Sequence, residues 1–82
     1  MLFHMRNMDS FGAWFRPIVE ASGLKHKAVA AEAGIDPVSF SRILNDAQGV
    51  AKDTAISLAR AINKLVGREV ASEETAVRLA VG

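Results

Sequence analysis

The chain predicts an all-α fold, a compact bundle of about five short helices, and three observations carry that expectation. Apolar residues recur three and four positions apart through most of the 82 residues. Ser, Asp and Pro stand before several of these periodic stretches and Gly stands after them, the ordinary start and stop signals of helices. No stretch is strand-rich, repetitive or of low complexity.

Residues 1–9 show no periodicity and are expected to form a flexible N-terminal arm, leaving residues 10–82 as the one domain. Ser10 is placed to cap a first helix carrying Phe11, Trp14, Phe15, Ile18 and Val19 on one face. Trp14 and Phe15 fit core or dimer packing at this spacing. Pro17 falls inside that helix and lacks a backbone N–H, so a kink or break is expected near residues 14–16. Ser22 and Gly23 end it. A second helix is predicted over about residues 25–33, a third over 37–44 and a fourth from Lys52 or Asp53 to Val66, stopped by Gly67. Ser72 caps a short fifth helix, with Glu73 and Glu74 near its positive end. The first, third and fourth helices are expected to pack around the second.

Residues 23–46, GLKHKAVAAEAGIDPVSFSRILND, are the most informative stretch. Leu24, Val29, Ala30 and Ala33 form one apolar stripe. Gly34 sits where that helix must end, because glycine reaches positive φ without steric cost. Asp36 is a good N-cap and Pro37 suits the first helical position. Phe40, Ile43 and Leu44 face inward in the next helix, leaving Val38, Ser39, Ser41, Arg42 and Asn45 outward. Two helices joined by so tight a turn form a helix-turn-helix, whose second helix can enter a DNA major groove.

This stretch resembles the helix-turn-helix of the phage-repressor family, the Cro and lambda-repressor type. The resemblance is carried by Leu24, Lys25-His26, Val29-Ala30, Gly34-Ile35, Asp36 and Leu44-Asn45-Asp46, with Leu58-Ala59-Arg60-Ala61-Ile62 similar to the family's fourth-helix core. It spans roughly residues 11–66. Two positions depart from the family. Val19 and Leu44 stand where many members pair an Arg with a Glu, and an apolar contact can replace such a pair. Asp46 stands where the family usually has Gly, and Asp tolerates the left-handed conformation better than most residues.

The resemblance implies double-stranded DNA as the partner and assigns contacts by position. Base contacts fall on Pro37, Val38, Arg42 and Gln48. Pro37 has no side-chain donor and reads as a helix starter. Val38 suits a thymine methyl, and the planar fork of Arg42 suits guanine O6 and N7. Ser39 can reach a base or a phosphate. Phosphate contacts are expected from Lys25, His26, Lys27, Ser41, Asn45 and Lys52, with His26 at a helix N-terminus that already favours an anion.

Composition narrows the remaining choices. Half of the residues are hydrophobic, which is enough for a core in one small domain. There is no cysteine, so neither a disulfide framework nor a thiolate metal site is available. His4 and His26 lack accompanying ligands, so no metal and no cofactor are expected. The N-terminus has no long apolar run and no stretch reaches the ~20 residues of a membrane span, so a cytoplasmic protein is expected. No nucleophile–base–orienter set or phosphate-cradling glycine loop suggests an enzyme. The net charge of +1 is less basic than a usual DNA-binding footprint. The expectation is a sequence-specific transcriptional regulator, a repressor, whose third helix enters the major groove. A homodimer would double the contact area, with Val70, Val77, Leu79 and Val81 as candidate interface residues. The alternative is an antitoxin or accessory module whose main partner is a protein such as a toxin. In a third arrangement the same C-terminal residues close the monomer core.

Overall fold

Helix caps divide the chain. In the computed structural model, which describes residues 10–80, the five helices are α1 (Phe11–Ser22), α2 (His26–Ala33), α3 (Pro37–Leu44), α4 (Lys52–Val66) and α5 (Glu73–Leu79). No strand occurs among the described residues. The expected flexible arm, residues 1–9, lies outside them, as does Val81. Side chains cap three helices: Ser10 accepts from the Ala13 N–H, Asp36 from those of Val38 and Ser39, and Ser72 from that of Thr75. Lys25 and Ala51, which precede α2 and α4, give those helices no side-chain cap. Gly23, Gly34 and Gly67 close α1, α2 and α4 at positive φ, the left-handed geometry that frees a chain from its helix.

Helix α1 runs unbroken through Pro17. Of the kink or break expected there, the break does not occur. Pro17 is exposed, so the carbonyl left without an N–H partner lies on the solvent side, while Phe15 and Val19 are fully buried around it. Burial of those two side chains holds the two halves of the helix on one core.

Helix α2 packs on both α3 and α4, while α1 packs on α3 and α4 also carries α5. The contact of α4 with α2 is the most extensive. The buried face of α4 consists of Ala55, Leu58, Ala59, Ala61 and Ile62. Small alanines between larger side chains let neighbouring helices approach closely. Phe15, Phe40, Val19 and Val29 join Leu58 and Ile62 as the largest fully buried side chains. Phe15 meets Phe40 edge-on, with ring centroids 6.4 Å apart, and stacks on Phe11 at 5.1 Å, joining α1 to α3. Trp14 is half-buried against the same core. The radius of gyration, 11.8 Å, is that of a compact chain of this length. The described residues thus form an all-α bundle of five short helices.

Candidate nucleic-acid interface

The turn between α2 and α3 is built from backbone geometry. The Ile35 N–H reaches back to Ala30 O at 2.9 Å and the Gly34 N–H to Ala31 O at 3.1 Å, with Gly34 at φ 76°. That pair of bonds satisfies the last carbonyls of α2 and turns the chain into Asp36, which caps α3. Helix α3 ends in the same way. Ala47 N–H donates to Arg42 O at 2.8 Å and Asp46 N–H to Ile43 O at 3.2 Å, with Asp46 at φ 58° in the place of glycine.

Phe40, Ile43 and Leu44 fix α3 on the core and leave Val38, Ser41 and Arg42 exposed. Val38 is 60% exposed, one of two large hydrophobic side chains that are exposed among the described residues; Leu65 is the other, at 37%. Ser39 is half-buried and its N–H is held by Asp36 at 3.1 Å. Gln48 is exposed in the loop after α3. Lys25, His26, Lys27 and Lys52 are exposed at the starts of α2 and α4. The His26 ring meets Phe40 edge-on at 5.6 Å, which sets the start of α2 beside the middle of α3. Asn45 is exposed, but its side-chain oxygen already accepts from Arg16 at 3.1 Å.

The charges separate into two groups. Arg16 pairs with Glu20 at 3.3 Å, Arg60 with Glu73 at 2.9 Å and Lys64 with Glu32 at 2.9 Å. The hydrogen bond to Glu73, and then its charge, raise the pKa of Arg60 above its ordinary value. Lys25, Lys27, Arg42 and Lys52 have no ion-pair partner among the described residues, as is also true of Arg68 and Arg78 farther along the chain. Two acids near this group are engaged as caps, Asp36 on α3 and Asp46 on α1. Asp53, in the first turn of α4, sits next to Lys52 and offsets part of its charge.

Among the C-terminal candidates, Val70 and Leu79 are half-buried and packed against the core, and Val77 is half-buried.

Asp46 has a role that its place in the sequence does not announce. Its carboxylate accepts from the Gly12 N–H at 3.1 Å and from the Ser10 hydroxyl at 2.9 Å, so it caps α1 from the far end of α3. Gly12 makes this approach possible. A Cβ there would lie 2.6 Å from Asp46 Oδ1, 2.7 Å from Ile43 O and 2.8 Å from Leu44 O. Only the positive φ expected at position 46 was a signal for it; the partner 34 residues away was not.

Comparison with protein-family models, with curated proteins and with solved structures finds no match to this chain.

Proposed function

We propose that the protein is a sequence-specific DNA-binding regulator, a repressor, that seats α3 in the major groove. The observation that carries this reading is the coincidence of free positive charge with open helix ends. The two helices without a side-chain cap, α2 and α4, are those whose first residues are Lys25 to Lys27 and Lys52. Backbone N–H groups at a helix start and unpaired lysines are both partners for phosphate. Helix α3 presents Val38 and Arg42 to solvent, an apolar group and a guanidinium suited to base edges. Glu20, Glu32 and Glu73 are matched to cations outside this group, so the net charge of +1 does not measure the charge that Lys25, Lys27, Arg42 and Lys52 present. Two copies on a two-fold site would supply the contact area that one module of this size lacks.

The test is titration of the selected duplex and a scrambled duplex over a range of salt. Arg42→Ala is expected to cost roughly 1–3 kcal/mol on the selected site and to relax preference at one base pair per half-site. Lys25→Ala or Lys52→Ala is expected to weaken binding to both duplexes alike and to shallow the salt slope by about one. If Arg42→Ala changes neither affinity nor preference, α3 is not the reading helix. A second reading, a module that docks on another protein such as a toxin, is favoured by the exposure of Val38 beside Pro37 at the start of α3. Absence of salt-sensitive duplex binding would select it.

A further inference from the structure

Val38 and Arg42 stand four residues apart on the exposed side of α3, one helical turn from each other. Four residues of helix advance about 6 Å, less than two base steps of about 3.4 Å. The two side chains therefore meet the same base pair or close neighbours. Their chemistries differ. Arg42 offers paired donors, which match the two acceptors of guanine. Val38 offers only methyl groups, and at 60% exposure it is the largest departure from the buried-apolar rule among the described residues.

We propose that Val38 reads the C5-methyl group of a pyrimidine, so that thymine and 5-methylcytosine satisfy it while uracil and cytosine do not. The inference rests on the DNA-binding reading. Its physical basis is that the C5-methyl is the one apolar group that a base presents in the major groove. Valine has no donor or acceptor with which to register the O4 of thymine or the N4 of cytosine. It responds to the methyl alone, and a 5-methylcytosine close to a guanine presents to the Val38–Arg42 pair what a thymine close to a guanine presents. Recognition at this step would then change when a cytosine is methylated, with no change in the base sequence.

The experiment uses the full chain and duplexes carrying the site it selects from a random pool. Each thymine of a half-site is replaced in turn by uracil, which removes one methyl and keeps every hydrogen-bonding group. A replacement in one half-site is expected to weaken binding about fourfold, the effect of burying a single methyl group. Cytosine at that place should bind more weakly than 5-methylcytosine by a similar factor. In Val38→Ala both differences should shrink toward none. Val38 is exposed, so this variant should fold as the parent does. Half-sites without thymine, uracil replacements without effect, or a methyl effect that persists undiminished in Val38→Ala would each overturn the inference while leaving DNA binding in place. No salt-sensitive duplex binding at all would overturn both.

Discussion

Position 12 is more tightly enclosed than the helix-ending glycines Gly23, Gly34 and Gly67. Two of the three atoms that a Cβ would strike are backbone carbonyl oxygens of α3, and backbone cannot rotate away as a side chain can. Gly12→Ala is therefore expected to destabilise by about 1–3 kcal/mol despite alanine's better helix propensity, read as a fall in the urea midpoint at unchanged slope. Asp46 follows a different logic. It holds a left-handed φ of 58°, which costs a non-glycine residue about 1–2 kcal/mol, and it satisfies two donors at the start of α1. Asp46→Gly removes the strain and loses the cap, whereas Asp46→Ala keeps the strain and loses the cap. The expected order of stability is Asp, then Gly, then Ala, with Asp46→Ala lower than the parent by about 1–2 kcal/mol in thermal or urea unfolding. An Asp46→Ala variant as stable as the parent would remove the capping role. The sequence alone made the turn at position 46 legible, because Asp is suited to φ > 0. It did not reveal the carboxylate's partner, because a hydrogen bond across 34 residues leaves no local pattern.

Helix ends were more readable than helix packing. Ser10, Asp36 and Ser72 cap the helices that they were expected to cap, and Gly23, Gly34 and Gly67 stop theirs, because both signals act within a few residues. Pro17 does not break α1, since its cost depends on whether its side of the helix faces water. The alanines of α4 look bland in sequence, yet they are what allow neighbouring helices to approach. The attachment of α5 was likewise hidden. Asn63, on α4, accepts from the N–H groups of Val70 and Ala71 at 2.8 and 2.9 Å and donates to Ala71 O at 2.8 Å, so one amide fixes the segment leading into α5. Asn63→Ala leaves those groups unpaired and is expected to cost about 2 kcal/mol. Amide hydrogen exchange should quicken first in α5 and not in α1; uniform quickening would argue against a local staple. Val19 on α1 and Leu44 on α3 are both buried in the one core. Val19→Arg is expected to destabilise by several kcal/mol in urea unfolding, since its charge would be buried without a partner.

At the scale of the whole molecule, charge arrangement rather than net charge underlies the functional reading. A sum of +1 predicts weak attraction to a polyanion. Lys25, Lys27, Arg42 and Lys52 nonetheless keep their charge uncompensated by ion pairs, while Arg16, Arg60 and Lys64 are matched to carboxylates. The candidate contact residues could be placed on helices from sequence, but their pairing state could not, because it depends on which carboxylates the fold brings close. Those three ion pairs are exposed or nearly so, and pairs of that kind contribute little. Raising salt from low to moderate ionic strength should therefore leave the melting temperature within a few degrees while weakening duplex binding steeply. Parallel loss of both would mean that the charges hold the fold together rather than a ligand.

The bond between Gly12 and Asp46 also sets an asymmetric rule for variation. Shrinking residue 46 removes one of the three obstacles to a side chain at 12, but the carbonyl oxygens of Ile43 and Leu44 remain. No replacement at 46 can therefore rescue alanine at 12, whereas glycine at 12 tolerates several residues at 46. In a library randomised at both positions and selected only for folding, position 12 should return glycine almost alone. Position 46 should return aspartate together with glycine and asparagine, residues that accept its turn.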